Sequence, residues 1–137
     1  MNISSRCDYA VRAVVELARR AQSDTPYTAT AIAREQNIPE KYLVHILLQL
    51  KRGGIVRSIR GAQGGYLLAQ APGAISLFDV VTAVEGPILD PLPGVDTSSD
   101  EVVTAWRKVA RALSDSLEEI SIQSILDEAA KPDMYFI

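Results

Sequence analysis

The chain of 137 residues has a single cysteine, Cys7, and a single histidine, His45. One cysteine excludes an intramolecular disulfide and any four-cysteine zinc site. One histidine and one cysteine leave little for nucleophilic or metal chemistry, and no nucleophile–base pair, metal cluster or nucleotide motif stands out, so an enzyme is not expected. No apolar run approaches the ~18–20 residues needed to span a bilayer. No signal-peptide pattern precedes the first amphipathic stretch, so the expected location is cytoplasmic, with no membrane partner. What is present is ordinary for a globular chain: 47% hydrophobic and 23% charged residues.

Acid is missing from one long stretch. Residues 41–78 contain Lys41, Lys51, Arg52, Arg57 and Arg60 and no Asp or Glu. Residues 1–40 carry five acids and five bases, and residues 79–137 carry twelve acids and four bases, so the net charge of −3 hides a basic middle and an acidic end. Such segregation suits a surface for a polyanion, and an overall acidic pI does not exclude one.

Helical periodicity places a first helix from Ser5 to about Gln22, with Ser5 and Asp8 in capping-box spacing. Thr28 or Thr30 can cap a second helix ending near Gln36. Asn37 suits a left-handed turn, and Pro39 the first turn of a third helix. That helix, Lys41 to Arg52, buries Leu43, Ile46, Leu47 and Leu50 and sets Lys41, His45, Leu48 and Arg52 opposite. After Gly53-Gly54, residues 55–59 and 65–69 read as two strands.

Between the strands lies RGAQGG, Arg60 to Gly65. It is followed by an apolar strand rather than by Lys-Ser/Thr and a helix, so a phosphate-binding P-loop is excluded. A hairpin tip fits better. Its glycines supply positive φ, and Gly64 and Gly65 would let the backbone approach a DNA phosphate. Helix–turn–helix plus hairpin makes a winged helix, with its second helix suited to a major groove.

Ser76 and Asp79 form another capping box, opening a helix to about Glu85. Residues 86–95 form a proline-rich loop, and Thr97 to Ser99 can cap a long helix to about Glu119. Val102, Trp106, Val109, Leu113, Leu117 and Ile120 form a coiled-coil-like seam suited to dimerisation. Ser121 caps a last helix to about Ala130, before the apolar tail DMYFI. The expected fold is mainly α with a small β-hairpin: a winged helix-turn-helix over 1–75 and a helical dimerisation and effector region over 76–137. Cys7 reads first as a small buried hydrophobe, and as a redox thiol only if it is exposed and Arg6 and the helix N-terminus lower its pKa. Arg52 is expected at phosphates and Arg57 on the phosphate side of the wing.

The run NIPEKYLVHILLQLKRGGIVRSIRGAQGGYLL, together with SSRCDYAVRAVVELA, SLFDVVTAVEG and the Trp106 helix, resembles the Rrf2 family of bacterial winged-helix regulators. The resemblance covers nearly the whole chain. It implies a transcription factor, usually a repressor, acting as a homodimer on a pseudo-palindromic operator in double-stranded DNA. Matched position by position, it assigns base reading to Lys41, Tyr42 and His45 and a wing contact to Arg60. Relatives often have a polar or acidic residue where this chain has Val44, and a glutamine where it has His45. Family members often hold an iron–sulfur cluster through three cysteines in the loop before the long helix. Residues 86–100 here contain none, so no metal or cluster is expected. The signal could then be a small molecule, a partner protein, oxidation of Cys7 or the abundance of the protein itself. The alternative function is a protein-interaction module built on a repurposed winged helix.

Overall fold

The computed structural model describes residues 3–88 and 101–131. Its elements follow in the order α1 (Ser5–Arg19), α2 (Ala29–Gln36), α3 (Glu40–Arg52), β1 (Val56–Ile59), β2 (Gly65–Leu68), α4 (Leu77–Glu85), α5 (Glu101–Glu118) and α6 (Ile122–Ala130). A single 3-10 turn, Pro72–Ala74, joins β2 to α4. The expected mainly helical fold with one antiparallel hairpin is the observed one.

α1 is the central post. Ala10, Ala13, Val14, Leu17 and Ala18 are buried along it, and α2, α3, α4, α6 and β2 all pack against it. Its N-cap is Ser4, not Ser5: the Ser4 side chain takes the Cys7 amide at 3.1 Å. Asp8 is therefore one position beyond the capping box, and it pairs instead with Arg12 at 2.8 Å, one helical turn on. The helix also ends at Arg19, before the expected Gln22. Ser4 further donates to Glu85, which ties the start of α1 to the end of α4.

The turn between α2 and α3 follows the sequence closely. Thr28 rather than Thr30 caps α2, accepting from the Ala31 amide. Asn37 closes it with φ 54°, the left-handed geometry that asparagine tolerates. Pro39 stands at the N-cap of α3, one position before the first turn, and Leu43, Leu47 and Leu50 are fully buried. Each such leucine contributes about 1.5–3 kcal/mol relative to an exposed one.

The hairpin pairs Val56 with Leu68 and Ile59 with Gly65. Tyr27 adds a single bridge to its free edge: the Tyr27 amide donates to the Tyr66 carbonyl at 3.0 Å, and the Tyr66 amide returns a bond of 2.8 Å. The wing is thus held to the α1–α2 connection as well as to α3.

One core crosses residue 75. Val80 and Val84 of α4 and Ile122 of α6 share it with α1, α2 and α3. The Ser76 and Ser121 caps lie side by side, with the Leu77 amide on the Ile120 carbonyl and the Ile122 amide on the Ile75 carbonyl, each 2.8 Å. Only α5 stands apart: it packs on α4, and Val103 is its single buried residue. The expected Thr97–Ser99 cap and the DMYFI tail lie outside the described residues.

Candidate nucleic-acid interface

α3 is two-sided. Its leucines and Ile46 anchor it to α1, and the opposite side exposes Lys41, Tyr42, Val44, His45, Leu48 and Arg52. Tyr42 is 63% exposed, so it projects outward rather than packing beneath the helix. Lys51 is exposed at the helix end, and Arg60 is exposed where β1 enters the turn. Arg57 is also exposed but lies on the Leu67 side of the hairpin, lining a shallow hollow of about 370 Å³ with Asp24 and Pro72.

Among the described residues, the ion pairs are Arg12–Asp8, Arg19–Glu16 and Lys131–Glu128. None of Lys41, Lys51, Arg52, Arg57 or Arg60 is in them. Glu40, the acid nearest in sequence to α3's exposed cations, accepts from the Thr30 hydroxyl at 2.7 Å. Lys41, Lys51, Arg52 and Arg60 are thus unpaired among the described residues, while Arg57 lines a hollow with Asp24; unpaired positive charge of this kind raises the local concentration of a polyanion.

The glycines of the turn have reasons inside the chain. A Cβ on Gly64 would collide with the Ile59 carbonyl oxygen, and one on Gly65 would lie 2.7–2.9 Å from the Tyr27 backbone. Both are needed to close the hairpin and to let Tyr27 bridge its edge. Their contribution to the surface is to fix where Arg60 is presented.

Two other sequence candidates lie elsewhere. Cys7 is buried at the start of α1. Burial, then the nearby Glu85 and Asp8 carboxylates, push its thiol up from its ordinary value. These surroundings are the reverse of the exposed, acidified thiol that a redox role would need, and they match the small buried hydrophobe that is the other reading of Cys7. On α5, Val102, Trp106 and Val109 are exposed and Leu113 and Leu117 half-buried; Ile120, also exposed, lies two residues beyond the helix end, so the expected seam is open but not wholly helical.

Sequence reasoning missed the Tyr27–Tyr66 bridge and the stacking of Arg20 on the Tyr27 ring at 3.9 Å. A tyrosine between Pro26 and a capping threonine was the available sign; it reads as a break because a one-residue bridge has no periodicity.

The comparisons with known proteins agree with this surface. A family model, Rrf2, described as an iron-dependent transcriptional regulator, matches residues 3–128. The transcriptional regulator CymR of Bacillus subtilis is 30% identical over 125 residues, covering 91% of this chain and 89% of that one. The structure of T. potens IscR aligns with a TM-score of 0.80 at 29% identity, over 99% of this chain and 97% of the other. That of B. subtilis CymR, named there as the global cysteine regulator, aligns at 0.78 and 29%, over 93% and 98%. The family's description names iron, but the donor set here does not fit a thiolate-held cluster. A thiolate-held cluster needs several cysteines, and the chain has one thiol, buried in α1. With a recognition helix, a wing and one family model spanning both, the chain belongs to the Rrf2 family of DNA-binding transcriptional regulators.

Proposed function

We propose that this regulator is a repressor that binds a pseudo-palindromic operator as a homodimer, without an iron–sulfur cluster. The observation that carries the reading is the α3–wing surface: five cations with no acid paired to any of them among the described residues. Lys41, Arg52 and Arg57 neutralise phosphates, and Arg60 enters a groove from the wing, where a narrow minor groove attracts arginine. Tyr42 and His45 offer hydrogen bonds along α3. Val44 and Leu48 are 47% and 43% exposed on the same helix. The apolar feature of the major groove is the thymine methyl, so these two side chains favour thymine-bearing half-sites. Two copies place two such helices one DNA turn apart, about 34–36 Å.

Regulation then comes through a small molecule or a protein partner instead of bound iron. The test is selection from a random DNA library with reduced, metal-free protein. A two-fold-symmetric enriched site is expected. Enrichment that appears only after iron and sulfide are supplied would overturn the cluster-free reading. Failure to enrich DNA in either condition would favour a protein-interaction role for the winged helix.

A further inference from the structure

We infer that Arg20 is a further DNA contact: its guanidinium, held over the Tyr27 ring, binds a backbone phosphate between the recognition helix and the wing tip. The inference rests on the DNA-binding reading above and adds to it a cation from outside the acid-free stretch of residues 41–78.

Tyr27 occupies the ground between α3 and the wing tip. Toward the wing, its backbone exchanges two hydrogen bonds with Tyr66 and lies against Gly65. Gly65 pairs with Ile59, the residue before Arg60. Toward the recognition helix, Tyr27 precedes Thr28, the cap of α2. Thr30, in the first turn of α2, donates to Glu40, the first residue of α3 and the neighbour of Lys41. Arg60 and Lys41 thus stand on either side of the start of α2, and a duplex that touches both passes over the segment between them. Arg20 reaches this ground from the C-terminal end of α1, with its guanidinium carbon 3.9 Å from the centre of the Tyr27 ring.

The stacking suits a phosphate. An arginine over an aromatic face still has its N–H donors free in the plane of the guanidinium, and two of them side by side match two phosphate oxygens. Arg20 is exposed and is in none of the ion pairs among the described residues. The acids nearest to it in sequence do not pair with it: Glu16 is buried with Arg19 at 3.8 Å, and Asp24 lines the hollow with Arg57. Stacking also holds a long side chain in place before DNA arrives, so less rotamer freedom is lost on binding. Tyr27 is fixed in turn by its two backbone bonds, which makes it a positioning residue for Arg20. A contact of this kind is made to the backbone and carries no sequence information of its own.

Salt titrations of the full chain on two duplexes, one of random sequence and the operator recovered by selection, test the contact. Arg20→Gln should weaken binding to both by the same factor, about tenfold for each copy bound. It should also lower the log–log salt slope by ~0.9 per copy. Its urea midpoint should move little, because the side chain is exposed. Arg19→Gln removes the neighbouring cation and should leave the slope unchanged. Tyr27→Leu should weaken binding by about threefold per copy with the slope kept, since the charge remains but is no longer held in place. Tyr27→Phe, which keeps the ring, should bind as wild type does. An Arg20→Gln slope equal to that of wild type would overturn the contact and leave the stacked pair as a clasp between α1 and the wing. An equal fall in Arg19→Gln would overturn it in favour of net charge. Tyr27→Leu binding as tightly as wild type would overturn the positioning role alone. Wild-type protein that binds neither duplex would remove the DNA-binding reading and this contact together.

Discussion

The α3–wing surface and the α5 surface expose similar apolar groups but carry opposite kinds of charge pattern. Tyr42, Val44 and Leu48 stand out from α3, and Val102, Trp106 and Val109 from α5. Around the first group every charge from residue 41 to 78 is positive; around the second, three cations are answered by three acids on the same helix. A surface of one sign repels its own copy and needs a partner of the other sign. Similar apolar groups thus stand in two electrostatic settings: the unpaired cations beside α3 favour a polyanion, and the mixed charges of α5 carry no such bias.

The largest effect should come from placing a charge where the two copies meet. Leu113→Asp puts a carboxylate on the apolar seam of α5 that the proposed homodimer would bury, and an uncompensated buried charge costs about 3–5 kcal/mol. The dimer dissociation constant should rise by at least about 100-fold. Operator affinity should fall with it by roughly 10²–10⁴, since two half-sites no longer act through one molecule. Analytical ultracentrifugation and operator titration would check both. A Leu113→Asp protein that remains a dimer would mean that α5 is not the self-recognising surface.

A smaller effect is expected where the DNA-facing surface is held by its own backbone. Gly64→Ala drives a Cβ into the Ile59 carbonyl, whereas a Cβ at Gly61 meets open space and has only a φ of +113° against it. Gly64→Ala should cost on the order of 1–3 kcal/mol and Gly61→Ala less, measured by urea unfolding. Both should weaken operator binding, Gly64→Ala the more, while the dimer persists. Loss of the dimer instead would show that the wing and α5 are not independent surfaces.

How much of this was legible in the sequence depended on how local each feature is. The caps at Ser76 and Ser121, the left-handed Asn37 and the buried side of α3 follow from a few neighbouring residues, and all appear where they were expected. The α1 cap moved by one residue because Ser4 and Ser5 are equivalent locally; Ser4 also reaches Glu85, a contact 81 residues distant. The hairpin glycines were legible as turn residues, and the reason for Gly64, the Ile59 carbonyl, is local; the reason for Gly65, the approach of Tyr27, lies outside the hairpin. The division at residue 75 followed the break at Ala71-Pro72-Gly73, a local sign; that Ile122 packs into the same core as α1 is a long-range contact with no local sign. Cys7 was weighed by its neighbours in sequence, while its protonation is governed by burial and by Glu85.

The smallest expected effect concerns what α3 reads. Val44 and Leu48 offer methyl groups to the major groove, where thymine supplies the only methyl. Covering one methyl is worth about 0.8 kcal/mol, so replacing a contacted thymine by uracil in the selected operator should weaken the wild-type protein by about fourfold. Val44→Ala should bind the thymine operator more weakly and lose most of its sensitivity to that replacement. Fluorescence anisotropy on paired operators reads both quantities. If wild type and Val44→Ala lose equally, the methyl is covered by another side chain, with Leu48 next to be tested. If wild type binds the uracil operator as tightly as the thymine one, the exposed apolar groups of α3 do not read bases. Specificity would then rest on its polar side chains and the wing, and the resemblance between the two apolar surfaces would have no functional meaning on the DNA side.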